Sequence, residues 1–310
     1  MVMDLRDIEY FTVIAEHRHL GRAAEALGLG QPALSISLRR LKKAADAKLV
    51  VRTPKGVELT PVGAALLTHV GRLRLARDDL AREITDLAHG QAGYLRIGAS
   101  PSNALGVLPE VCSTLLSDSP KLTLHVSLLD NEALLPALRK GELDVVIGHT
   151  QQFRDPDTTE IVIQEDEFVV FCAAGHRLAK RKSLLLADLA DERWASTEAN
   201  AYAPWLSLQQ SFGERGLPPP RIALVSSLPA LNLRAVAAAE LLGISNKRSV
   251  AAAASSLRLA VLPVKDLVWI RPAVIVHRKD SYLPPPARRF IEAMKIAAKH
   301  AASGRDALRG

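Results

Sequence analysis

At 310 residues the chain is longer than one ordinary core supports, so about two domains are expected, and an apolar share of 48% is enough to fill them. No apolar run reaches the roughly 18 residues that cross a bilayer, and residues 1–7 carry acids where a secretory leader would be apolar, so a cytoplasmic protein with no membrane partner is expected. The formal charge of +7 and pI near 9.5 favour an anionic partner only weakly. Cys112 and Cys172 are the only cysteines and sit in separate apolar segments; without a Cys-x-x-Cys or Cys/His cluster they read as two buried thiols in a reducing compartment, with no metal and no cofactor.

Leu5, Ile8, Phe11 and Ala15 recur at spacings of three and four, which predicts an opening amphipathic helix. A second, short helix is predicted over 20–27, followed by a tight turn at Gly28-Leu29-Gly30. Helical periodicity restarts at Gln31, with Leu34, Leu38 and Leu41 inward and Pro32 in the first turn, where its missing N–H costs little. The small pair Ala23-Ala24 lets the second and third helices approach as a helix-turn-helix requires. Gln31, Pro32, Ser35, Ile36 and Arg39 lie on or near the exposed, N-terminal side of the third helix, the part that enters a major groove. Gln and Ser suit base edges and Arg suits phosphate; Ser37 and Arg40 are assigned to the same interface. Between 39 and 55 stand Arg39, Arg40, Lys42, Lys43, Lys48, Arg52 and Lys55 against the single acid Asp46. Residues 49–60 form two short apolar runs around Pro54-Lys55-Gly56, a predicted hairpin wing with Arg52 and Lys55 poised for phosphates.

Beyond Pro61 no proline occurs until Pro101, and Leu66, Val70, Leu73, Arg77, Leu80, Ile84 and Leu87 alternate at four and three residues. That seam predicts a dimer-forming helix over 61–92, which would set two DNA-reading helices on one palindromic site. Arg77, its one polar member, is expected to pair with Asp78, Asp79 or Glu83 of the partner subunit.

From 93 to 303 strand and helix patterns alternate. Strands are predicted at 95–99, 122–129, 144–148, 168–171, 194–196, 222–227, 241–245 and 268–277, with a closing helix from Pro285 to about Ala302. The pattern suggests two α/β lobes, the first about 93–163 and 268–303, the second about 164–267, with a cleft at the carboxyl ends of their strands. The loops there read Ser100-Pro101-Ser102-Asn103, Gly148-His149-Thr150, Ser196-Thr197 and Ser226-Ser227. Ser100, Ser102, Asn103, His149, Thr197, Ser226 and Ser227 are therefore expected to contact a small organic anion at helix N-termini.

Arg22-Ala23-Ala24…Leu27…Gln31-Pro32-Ala33…Ser35…Leu41, then Leu49…Arg52…Gly56…Leu59-Thr60…Gly63, resembles the signature of LysR-type transcriptional regulators over about forty residues. Pieces of the C-terminal part, 143–148, 175–179 and 193–194, are similar to that family as well. The resemblance implies an α+β multidomain fold: a winged helix-turn-helix over 1–60, a linker helix over 61–92, and an effector domain over 93–303 like type 2 periplasmic binding proteins. It implies promoter DNA, a small effector and further copies of the chain as partners, assembled as a dimer of dimers, with RNA polymerase as a further partner. The sequence departs from the family at His19 and Gly30, where serine caps are usual, at Lys42 for Glu, at Ala45-Asp46 for Leu-Gly, and at Val50 for Phe, which predicts a thin core under the wing. Two other readings use the same residues: a thiol sensor through Cys112 and Cys172, and an enzyme with a DNA-binding appendage. The second lacks a Gly-x-Ser-x-Gly elbow, a phosphate loop and metal-spaced histidines, so no catalysis is expected.

Overall fold

The computed structural model describes residues 3–54, 56–89, 93–103, 107–150, 153, 155–197, 203–265, 267 and 269–306, and the chain divides into two compact units, Met1–Ile84 and Thr85–Gly310. In the first, Asp4 opens α1 (Leu5–His17) by accepting the Arg6 N–H at 2.8 Å. Helix α2 (Leu20–Ala26) is capped by His19, whose Nδ1 accepts from the N–H groups of Gly21 at 3.1 Å and Arg22 at 3.4 Å. The imidazole thus does what serine does elsewhere. Helix α3 (Gln31–Ala45) starts at Gly30 without a side-chain cap and stops at Asp46, which takes the left-handed conformation (φ 49°) that Asp tolerates better than most residues. Strands β1 (Val50–Thr53) and β2 (Gly56–Leu59) form the wing, with Val50 opposite Leu59 and Arg52 opposite Val57. Phe11, Ile14, Leu34, Leu41 and Leu49 fill the core beneath.

Helix α4 (Pro61–His89) carries the predicted seam. Leu66 and Val70 turn into the core just described, whereas Leu73, Leu80, Ile84 and Leu87 stay exposed, Leu87 by 80%. Arg77 does not wait for a second copy: its guanidinium bonds Glu9 at 2.6 Å and Asp78 at 3.0 Å within its own chain.

Ile14, Arg18, Val50, Val57, Glu58, Leu59 and Leu67 line an open groove of about 320 Å³ beside the wing, next to the position where Val50 stands in place of Phe. Val50→Phe is expected to raise unfolding stability by about 1 kcal/mol, because lining atoms regain contacts. Urea denaturation checks it; a loss of stability would mean the site is already filled.

The second unit has β3 (Tyr94–Ala99), α5 (Leu108–Asp118), β4 (Thr123–Leu128), α6 (Asn131–Arg139), β5 (Val145–His149), then β6 (Thr158–Ala173), β7 (Arg193–Ser196), α7 (Ala203–Glu214), β8 (Arg221–Val225) and α8 (Pro229–Ala238). It continues through β9 (Leu242–Asn246), α9 (Lys247–Leu257), β10 (Leu259–Val261), β11 (Trp269–Arg278) and α10 (Pro285–Asp306). The strands run in the order β4-β3-β5-β11-β6-β9-β7-β8, with β10 paired to β6. Two parallel triplets, β4-β3-β5 and β8-β7-β9, therefore flank a central antiparallel ribbon of β6 and β11. The lobe boundaries expected near 163 and 268 fall at this ribbon, and β6 extends ten residues upstream of the strand expected at 168–171. Ala273 faces Gln164 and Val274 faces Val162, so Ile163 is the extra residue of a bulge at the crossing.

Apolar side chains cover both faces of each triplet. Phe290, Ile291 and Met294 of α10 join Val111 and Leu115 of α5 on one face of the first triplet, with Leu134 and Leu138 of α6 on the other. In the second, Trp205, Leu208 and Phe212 of α7 pack on Trp194, and Leu233, Val236 and Val250 of α8 and α9 oppose them. Asp144 ties β3 to the start of β5 by accepting from the Arg96 guanidinium at 2.6 Å.

Candidate functional site

Burial of Leu34, Leu38 and Leu41 against α1 and α2 turns the opposite side of α3 outward. Gln31, Pro32, Ile36 and Arg39 are exposed and Ser35 is half-buried. Ile36, 49% exposed, offers an apolar surface of the kind that meets thymine methyl groups. Ser37 departs from the expectation. Lying three residues after Leu34, it shares the inward stripe; it is 2% exposed and its Oγ donates to Asp7 Oδ1 at 2.6 Å, so it does not reach a base edge. Arg40 is exposed, yet its Nε and Nη2 donate to the Asp7 carboxylate at 2.9 and 2.5 Å. Its expected phosphate role is shared with a structural one, holding α3 against α1.

The Arg40 hydrogen bonds hold the Asp7 carboxyl below its ordinary value; burial opposes them and the Ser37 hydroxyl adds to them. A depressed native pKa stabilises the fold above the unfolded value, near 3.9, and the contribution disappears as pH falls through the native value. The stability gap between wild type and Asp7→Asn, on the order of 1.5 kcal/mol near neutrality, is therefore expected to close between pH 5 and acid. Paired unfolding curves across that range test it; a gap independent of pH would remove the carboxylate from the account.

Arg52 on β1 and Lys48 before it are exposed. Burial pushes the half-buried Lys42 ammonium below its ordinary value, and the charges of Arg52 and Lys48 act in the same direction. This end of α3 and the wing thus concentrate positive charge. Lys55 lies outside the described residues.

In the second unit the carboxyl ends of β3 and β5 meet the ribbon and the start of α9 around a cleft lined by Asn103, Ile147, Gln164, Asp166, Asn246, Arg248 and Ser249, among others. Its enclosed space is about 20 Å³, roughly one water. Of the seven residues expected to meet a ligand, Asn103 lines this cleft, its Nδ2 donating to Ser100 Oγ at 2.9 Å. Ser100 and His149 stand behind the wall, 3% and 4% exposed. The His149 Nε2 bonds Asp166 Oδ2 at 3.0 Å and its ring meets Phe168 at 5.3 Å, so it acts on the cleft through Asp166. Thr197 sits at the end of β7, its Oγ1 buried without a partner among the described residues. Ser226 accepts the Leu228 N–H at 3.1 Å, and Ser227 is exposed. These three at the ends of β7 and β8 are not brought into the same cleft, and the Ser102 side chain lies outside the described residues.

Gln164, Asp166, Asn246, Arg248 and Ser249 were not anticipated. The signal at Asn246 was present: a capping residue directly after an apolar strand, the same cue used at the other strand ends. Cys112 and Cys172 fall in separate cores, one on α5 and one in β6. Burial raises both thiols, Cys172 to about 11 with the Glu192 charge assisting, the opposite of what a reactive thiolate needs. Among the described residues no helix is long and apolar enough to cross a membrane, and no cluster could hold a metal.

A winged helix-turn-helix joined to a two-lobed domain with a cleft on its central ribbon defines a one-component DNA-binding regulator. Residues 5–64 match the family described as "Bacterial regulatory helix-turn-helix protein, lysR family", and residues 88–299 match "LysR substrate binding domain". The chain belongs to the LysR family: it is a DNA-binding transcription regulator with an effector-binding domain, not an enzyme. It is 28% identical over 303 residues to the HTH-type transcriptional regulator GbpR of Azospirillum brasilense, covering 96% of this chain and 87% of that one. It is 28% identical over 297 residues to CbbR of Rhodospirillum rubrum, covering 95% and 97%. The fold is shared with full-length CbnR complexed with target DNA (TM-score 0.61, 22% identity, 95% and 100% covered) and with a full-length OxyR variant from Pseudomonas aeruginosa (TM-score 0.60, 23% identity, 96% and 98% covered).

Proposed function

We propose that the chain reads promoter DNA with the first half of α3, Gln31, Pro32, Ser35 and Ile36 meeting bases while Arg39, Arg52 and Lys55 meet phosphates. Its effector is a small organic anion held in the cleft beside Asn103. The observation that carries the reading is the exposed Gln31–Ile36 surface in the same unit as an unshielded cationic wing. Functional boundaries near 1–60, 61–92 and 93–303 go with it. The exposed stripe Leu73, Leu80, Ile84 and Leu87 supports pairing of two copies through α4, and a dimer of dimers follows when effector domains pair in turn. The protein works in the cytoplasm, and effector-driven movement of the lobes about the bulged ribbon changes the spacing of its DNA-reading heads and their access to RNA polymerase.

Arg52→Ala tests the phosphate assignment. It is expected to weaken binding to every duplex by a similar factor and to reduce the slope of log affinity against log salt by about one ion. Anisotropy titrations over a salt series measure both; a loss confined to one sequence, with an unchanged slope, would make Arg52 a base reader instead.

A further inference from the structure

The amino end of α9 is the most built polar corner of the cleft. Asn246 caps the helix, its Oδ1 accepting the Arg248 N–H at 2.8 Å, and the remaining first-turn N–H groups carry the helix's partial positive charge. Ser249, in that same first turn, lines the cleft and is 3% exposed; its Oγ has no hydrogen-bond partner among the described residues. Such a group costs stability until something accepts from it or donates to it. Beside it, Arg248 Nη1 donates to Gln164 Oε1 on β6, so a lobe-crossing contact is closed by a neutral amide. Gln164 Nε2 in turn donates to Asp166 Oδ1 at 2.6 Å, and the other Asp166 oxygen is bonded to His149 at 3.0 Å. Both oxygens of Asp166, the one carboxylate among the described lining residues, are thus engaged.

We propose that this corner is the seat for the anionic group of the effector, with Arg248 and Ser249 as its donors and Gln164 as the acceptor it displaces. The proposal rests on the reading of the cleft as the effector site. A carboxylate or phosphate meets a guanidinium with opposite charge and two parallel N–H···O bonds, neither of which the single Gln164 amide oxygen supplies, so an anion competes effectively for Arg248. The exchange also makes room, since the closed corner encloses only about 20 Å³. Once Gln164 is released, the effector replaces the Arg248–Gln164 contact between β6 and α9, while the Lys247–Glu167 ion pair at 2.8 Å continues to join the same two elements. Occupancy is then passed through Asp166 to His149 on β5.

The test is calorimetric titration of the full-length protein at constant ionic strength. The probes are inorganic phosphate and aliphatic and aromatic mono- and dicarboxylates, each organic probe paired with the amide of the same skeleton. The expected result is that at least one anion binds, that its amide does not, and that Arg248→Met weakens it about tenfold or more while Arg248→Lys restores part of the loss. Ser249→Ala is expected to weaken it by a smaller factor, and unchanged tryptophan fluorescence shows each variant folded. Amides that bind as well as their acids, anion affinity unchanged in Arg248→Met, or no binding by any anion would each overturn the seat. A neutral compound that binds and alters DNA retention would overturn the seat while leaving the cleft's regulatory role standing. An anion that alters DNA retention but binds Arg248→Met, Ser249→Ala and Asn103→Ala as well as wild type would remove both.

Discussion

Alanine at position 63 is expected to unfold the DNA-reading unit under conditions the wild type survives, a loss of about 3 kcal/mol or more. Gly63 lies in the first turn of α4, where a Cβ would stand 1.9 Å from the Leu49 carbonyl oxygen and 2.9 Å from its carbon. That carbonyl has no room to retreat. It accepts the Thr60 N–H at 3.0 Å, Thr60 Oγ1 donates to the neighbouring Lys48 carbonyl at 2.6 Å and accepts the Gly63 N–H at 3.0 Å, and the Leu49 side chain is fully buried. Wing, helix start and core are thus fixed at one point, and a methyl group must separate them. The three tryptophans, Trp194, Trp205 and Trp269, all belong to the second unit, so the two units are observed separately. Gly63→Ala should lose DNA retention and show an early loss of helical signal while the tryptophan transition stays where it is. A single unchanged transition by both probes would show that the close approach at Leu49 relaxes at no cost.

Gln31→Ala is expected to lower affinity for the specific site about 10- to 100-fold, the worth of one good amide contact to a base edge, while leaving affinity for unrelated duplex nearly unchanged. Gln31 begins α3, is exposed, and makes no packing contribution to the buried stripe of Leu34, Leu38 and Leu41, so its loss should not disturb the fold. Competition between specific and unrelated duplex separates the two affinities. A uniform fall on both would move Gln31 from base reading to backbone positioning.

The first unit was legible in the sequence because its signals are local. Three- and four-residue spacings gave α1 and α3, Gly28-Leu29-Gly30 gave the turn, and the run from Leu49 to Leu59 gave the wing. Ser37 sits at the edge of the exposed side of α3, yet counted from Leu34 it is an inward position, and the pairing with Asp7, thirty residues away, satisfies its buried hydroxyl. His19 shows the reverse: it stands where the family usually has serine, and its ring nitrogen caps α2 in serine's place.

The second unit was legible as alternating strands and helices, and less so at its centre. The polar stretch Gln164-Glu165-Asp166-Glu167 looks like a linker, yet it is the middle of β6, because strand β11 pairs with it residue by residue and supplies partners that no local pattern announces. Hydroxyls at strand ends point to a cleft lined by those loops. Its polar lining instead comes largely from that ribbon and from the helix after β9, where long side chains reach one another across the lobes. Such meetings depend on topology, which composition and spacing do not encode.

Retention of duplex DNA taken from immediately upstream of the chain's own coding sequence, against a shuffled duplex of equal length, tests the central claim most directly. At low salt the full-length protein should retain both and prefer its own, with the preference lost in Gln31→Ala. Failure to retain either duplex would contradict the assignment of α3 and the wing to DNA.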